Sequence, residues 1–190
     1  MNPHIKTLQA ALGFAGRDLD GKRGPKTNAA ILAAADAGRL SVLPLPPVVA
    51  LPLPEASEAK LAGVNPVLVD VVRAAHAKSP VPFAVIEGLR TRERQAKLVK
   101  AGASKTMNSY HLTGHAVDLW PVDPETGRNL PSDAAFPRGS VEARAADRAL
   151  WEALHKIAGA MKSAAAARGV DLTWGGDWQW KDGPHFQIPR

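Results

Sequence analysis

The run Ser109-Tyr110-His111-Leu112-Thr113-Gly114-His115-Ala116-Val117-Asp118 and the later Asp182-Gly183-Pro184-His185 hold the side chains best suited to chemistry. His111, Asp118 and His185 are candidate ligands for one zinc ion. Three protein ligands leave a fourth position open, the arrangement of a catalytic rather than a structural zinc site. Asp182, three residues before the last histidine, adds a spare carboxylate. Metal-assisted hydrolysis needs such a group to take a proton from the attacking water. The chain has no cysteine, so any metal must rest on His and carboxylate.

His111 and Asp118 stand seven residues apart, too far for one helical face but natural for a loop entering a strand. His185 would then arrive from a neighbouring strand. His115 is a rival ligand, because it would share a helical face with His111. The run lacks the Glu that follows the first His in helical metalloprotease motifs, and Gly114 is a poor interior helix residue. His115 is therefore expected at the rim of the site. Spacing alone leaves each histidine open to an ordinary surface or core role.

The elements that must position these residues read as α+β. Helices are expected from Asn65-Pro66 to Lys78, from Thr91 through Gln95 and Val99 to Gly102, and from Val141 to Arg168. The last would turn Leu150, Leu154, Ile157 and Met161 inward. Strands are expected at Val81–Ile86, His115–Trp120, Leu172–Trp174 and His185–Ile188, with a long polar loop from Pro121 to Pro137. Trp120 and Trp151 are assigned to the core, whereas Trp174, Trp178 and Trp180 suit either core or cleft.

Residues 1–40 read as a small helical unit, with Ile5, Leu8, Gln9 and Leu12 on one face and Gly24-Pro25-Lys26-Thr27 opening a second helix. The composition then turns to Pro, Leu and Val, as in Leu43-Pro44-Leu45-Pro46-Pro47. Residues 41–59 are therefore expected to be a semi-rigid linker. Residues 60–190 form the expected catalytic domain.

At 190 residues, 45% hydrophobic and 22% charged, the chain has the composition of a soluble globular protein. No apolar run approaches the roughly 18 residues of a membrane span, and the N-terminus shows no signal-peptide pattern. The net charge of +6 favours a polyanionic partner. Scattered Lys and Arg without a reading motif argue against nucleic acid.

Ser109, His111, Gly114, Ala116 and Asp118 set out a Ser-x-His-x-x-Gly-x-Ala-x-Asp pattern. It resembles the zinc motif of the D-Ala-D-Ala carboxypeptidase/L-alanyl-D-glutamate endopeptidase family of peptidoglycan hydrolases. Trp174-Gly175-Gly176-Asp177-Trp178, followed by Asp182-x-x-His185-Phe186, is similar to the branch that includes phage endolysins cutting between L-Ala and D-Glu. Gly88-Leu89-Arg90-Thr91 with Gln95 matches the family's upstream Arg segment. More loosely, Leu8-Gln9, Leu12, Asp20-Gly21 and Gly24-Pro25-Lys26-Thr27 resemble a peptidoglycan-binding helical module.

The resemblance implies a small antiparallel sheet with flanking helices, similar to hedgehog and DD-peptidase folds. It implies zinc on His111, Asp118 and His185, and Asp182 as general base and then acid. Arg90 would stabilise the oxyanion, with Ser109, His115 and Trp178 toward the substrate. Asp at 182, where dipeptidase relatives have Glu, points to the endopeptidase branch. The expectation is a monomeric zinc endolysin acting on peptidoglycan, held in the host cytoplasm until it is released to the wall. The alternatives are a D-Ala-D-Ala carboxypeptidase of the same family, or a non-catalytic wall-binding protein with a structural zinc. The presence of Asp182 speaks against the last.

Overall fold

Along Ala116–Pro121 (β2) the odd and even positions do different work, and the rest of the fold follows from that split. The computed structural model describes residues 53–190, together with residues 9, 10, 12, 14, 15, 26, 27, 29 and 30. Strand β2 lies between β1 (Phe83–Glu87) and β4 (His185–Gln187), and β3 (Thr173–Trp174) pairs with the far side of β4. All pairings are antiparallel. On one face Val85 pairs with Leu119, and Val117 with Phe186 and then Trp174. These five side chains are buried, so this face makes the core. On the other face Glu87 pairs with Asp118, and Asp118 with His185. Directly opposed residues point to the same side of a sheet. A single row thus carries three polar side chains across three strands.

Four helices flank this sheet: α1 (Glu55–Lys60), α2 (Pro66–Lys78), α3 (Arg92–Lys100) and α4 (Val141–Ala166). Each of the last three is capped by its own sequence. Asn65 accepts from the Val67 N–H, Thr91 from Arg94 and Ser140 from Ala143. Such caps satisfy orphan donors of the first turn. Leu68, Val71 and Val72 of α2 pack into the same buried cluster as Leu150, Leu154, Ile157 and Met161 of α4. Trp120 and Trp151 are partly buried against it, as expected, and Trp174 is a core residue stacked on Phe186.

The linker expected up to residue 59 ends earlier. Glu55–Lys60 are helical, and the buried Ser57 hydroxyl accepts the Val85 N–H at 3.1 Å. Strand β1 is an edge of the sheet, and its outward N–H needs an acceptor when covered. Pro54 suits the position before the first helical residue, so the proline-rich composition does not preclude helix there. The first strand also starts later than expected, at Phe83 rather than Val81.

The chain divides into two compact units, residues 1–49 and 50–190. In the first, residues 9–10, 26–27 and 29–30 are helical, and buried Gln9 donates to Thr27 Oγ1 at 3.0 Å. The rest of the expected helical module, and residues 41–52 of the expected linker, lie outside the described residues. Among the described residues no helix is long and apolar enough to cross a membrane.

Candidate metal centre

His111 reaches the sheet from a 3₁₀ turn, Tyr110–Thr113, rather than from a strand or an α-helix. The Ser109 hydroxyl caps this turn, accepting from the His111 N–H at 3.3 Å. Gly114 ends it at φ 69°, a left-handed conformation in which glycine avoids the Cβ clash. A Cβ there would also collide with the Gly63 carbonyl. The Gly114 carbonyl accepts from Asn65 N, joining the turn to the start of α2. The glycine of the motif is thus required twice over.

Three ligand atoms converge. His111 Nε2 lies 3.2 Å from Asp118 Oδ1 and 3.2 Å from His185 Nδ1, and His185 Nδ1 lies 3.0 Å from Asp118 Oδ1. This is the one such group of three or more metal-ligating side chains found among the described residues. Each imidazole turns its other nitrogen away from the cluster. His111 Nδ1 bonds the Gly88 carbonyl at 2.8 Å, and His185 Nε2 bonds Gln187 Oε1 at 3.0 Å. An oxygen of this kind only accepts, so each outward nitrogen carries a proton, while the inward ones, facing Asp118 Oδ1, either present lone pairs to a cation or take up a second proton and donate to the carboxylate. Two lone pairs and a carboxylate oxygen facing one another are a donor set that fits a metal cation. Outward partners of this kind orient ligating histidines.

Arg90 braces the set from behind. Its guanidinium is 9% exposed and donates to Glu87 Oε2 at 2.6 Å and to Gln95 Oε1 at 2.8 Å. It also approaches Asp118 Oδ2 at 3.6 Å, so the carboxylate offers Oδ1 to the histidines and Oδ2 to the arginine. Fully buried Gln95 donates in turn to Ser104 Oγ and to the Thr106 carbonyl. The loop before His111 is thereby tied to Arg90. Both terminal nitrogens of Arg90 are engaged, and its buried Nε has no partner.

The electrostatics follow this geometry. Burial would raise the Asp118 pKa, but hydrogen bonds and charge from His111 and His185 hold it well below the usual carboxylate range. Burial would lower that of His185, but Asp118 raises it. Asp182 goes the opposite way from Asp118. Burial raises its pKa first and the Asp118 charge adds to this, against the pull of His185, His111 and Arg90. It stands outside the converging ligand set, on the turn whose carbonyl accepts from His185 N. A carboxyl whose pKa is raised beside a set of metal-ligating side chains is a candidate for proton transfer.

The remaining sequence candidates take different places. Trp178 is half-buried with its ring 5.2 Å from that of His185, so it flanks the cluster. His115 is not among the converging residues. Its ring is held by the Thr113 carbonyl at 2.8 Å and by Asn65 at 3.3 Å. Sequence reasoning missed Gln187 and Glu87. Gln187 was signalled by its position two residues after His185, on the same face of a strand. Glu87 was not signalled, because a register shift between Val85 and Glu87 sets it opposite Asp118.

The chain is similar to several known proteins. A family model described as phage L-alanyl-D-glutamate peptidase matches residues 49–129, and one described as D-alanyl-D-alanine carboxypeptidase matches residues 102–188. An L-alanyl-D-glutamate peptidase of a Listeria phage is 34% identical over 105 residues, which cover 55% of this chain and 29% of that protein. One from an Escherichia phage is 29% identical over 140 residues, covering 70% of this chain and 86% of that protein. The crystal structure of the Serratia marcescens L-Ala D-Glu endopeptidase ChiX aligns with a TM-score of 0.59 at 38% identity. That alignment covers 76% of this chain and 95% of ChiX.

Proposed function

We propose that the chain, which belongs to the L-Ala–D-Glu endopeptidase family, hydrolyses the L-Ala–D-Glu bond of the peptidoglycan stem peptide. The observation that carries the reading is the convergence of His111 Nε2, Asp118 Oδ1 and His185 Nδ1 with both ring protons turned outward. Zinc suits two imidazoles and a carboxylate in a set with an open position. Held by His111, Asp118 and His185, zinc would supply the Lewis acidity that activates a water and polarises the scissile carbonyl.

The chain's own residues do the rest. Asp182 takes the proton of the attacking water and returns it to the D-Glu amine as the C–N bond breaks. Burial and the Asp118 charge raise its pKa above the usual carboxylate value, the direction that favours holding a proton. Arg90 holds Asp118 in place, and with its donors committed to Glu87, Gln95 and Asp118 it serves the developing oxyanion only as nearby positive charge. Ser109 acts through the backbone of His111, and Trp178 lines the approach to His185. His115 supports the turn from its outer side. Residues 1–40 serve as a wall-binding module, since tethering raises the effective concentration at an insoluble substrate.

The test is mass spectrometry of digested peptidoglycan. New N-terminal D-Glu is the expected product. Release of D-Ala with no new D-Glu terminus would transfer the protein to the carboxypeptidase reading, which the second family model also names.

A further inference from the structure

Of the five tryptophans, only Trp180 is exposed, at 64%. Its ring lies 5.7 Å from that of Trp178, and the Trp178 ring lies 5.2 Å from His185. Aromatic surface therefore runs outward from the metal cluster and ends in a face open to solvent. Lys105 Nζ stands 5.8 Å from the Trp180 ring centroid, within cation–π reach. Lys105 sits between Ser104 and Thr106, both bonded to buried Gln95. The two halves of this surface come from distant segments, and each is anchored to the site.

We infer that Trp180 and Lys105 form a shelf for the glycan strand on the L-Ala side of the scissile bond. The inference rests on the L-Ala–D-Glu reading. In peptidoglycan the stem's L-Ala is joined through a lactyl group to the amino sugar, so its own carbonyl is the stem carbonyl nearest the glycan. An extended residue spans about 3.3–3.6 Å, so alanyl and lactyl together place the sugar roughly 7 Å away. The ring-to-ring steps from His185 to Trp178 and on to Trp180 are 5.2 and 5.7 Å, so the open indole stands at most about 11 Å from the His185 ring, within reach of that sugar or of the next one along the glycan. Cutting at the far end of the stem would put the sugar about three residues further off, beyond the shelf. A pyranose offers C–H groups on its face and hydroxyl and acetamido oxygens on its rim. The open indole matches the face, and the three donors of Lys105 match the rim.

The experiment uses the full, zinc-loaded chain and two substrates: a disaccharide-linked stem peptide, and the same peptide freed of sugar. The wild-type protein should prefer the first in kcat/KM. Trp180→Ala and Lys105→Ala should each reduce that preference roughly three- to tenfold, and Trp180→Phe should retain most of it. An unchanged preference, or equal losses on both substrates, overturns the shelf. Lys105→Ala alters an exposed loop side chain, so it carries the test if a Trp180 variant loses zinc or its melting transition. Wild-type cleavage that yields no N-terminal D-Glu from either substrate overturns the parent reading, and this outcome is seen before any variant is made.

Discussion

His111 Nε2 and His185 Nδ1 lie 3.2 Å apart, and the proton of each ring is already committed elsewhere, to Gly88 and to Gln187. Such a pair of acceptors is stable only with a cation between them or with extra protons on the rings. Metal and protons therefore compete for one place.

One zinc per chain is expected, removable by chelation and restored by zinc. His111→Ala or His185→Ala should abolish stoichiometric binding. Because protons compete, apparent zinc affinity should fall as pH drops through the range from about 8 to 5. Competition with a chromophoric chelator at several pH values measures this, and a pH-independent affinity would contradict the ligand set.

Asp182→Asn should keep both zinc and fold while losing about 10²–10⁴-fold in kcat. Metal content and turnover, measured on the same preparation, separate the two properties. If the variant loses its zinc, Asp182 is a ligand and the proton-transfer role fails.

Gln187→Leu removes the acceptor that fixes the His185 tautomer. Loss of such an outer partner typically costs 10–100-fold in metal affinity, so zinc affinity should drop by about that factor. Gln187→Glu keeps an acceptor and should restore much of the loss. Equal affinities for wild type and Gln187→Leu would remove Gln187 from the site.

Glu87 is 16% exposed and receives both Arg90 and Arg94. Burial would raise its pKa, but hydrogen bonds from the two arginines lower it below the ordinary 4.5. A depressed folded pKa contributes stability above the unfolded value and loses it as pH falls through the folded one. Glu87→Gln should therefore cost about 1–3 kcal/mol at neutral pH and reduce the loss of stability below about pH 4.5. Denaturant unfolding at pH 7 and in acid reads both effects.

Deleting residues 1–49 should leave a folded, zinc-binding core with weaker attachment to whole cell walls. Residues 50–190 form a compact unit of their own, and units of this kind fold independently when few contacts cross their boundary. Sedimentation with purified walls, alongside a thermal melt, tests the proposal. A truncated protein without a cooperative melt would make the N-terminal unit structural.

The sequence by itself determined the ligand types, the spare carboxylate and most of the elements. The caps at Asn65, Thr91 and Ser140, and the alternation along β2, are local properties written in consecutive residues. The row of Glu87, Asp118 and His185 depends on strand register, including a shift inside β1, and register is a pairing between distant segments. The helix at Glu55–Lys60 was hidden by flanking prolines, because the edge strand that it covers comes later in the chain. Among Trp174, Trp178 and Trp180, composition treats all three alike. Only packing buried the first against Phe186, set the second beside His185 and left the third facing solvent. Which nitrogen of each histidine faces the cluster was likewise decided by tertiary structure, since the Gly88 carbonyl and the Gln187 side chain that hold the protons act through space rather than along the chain.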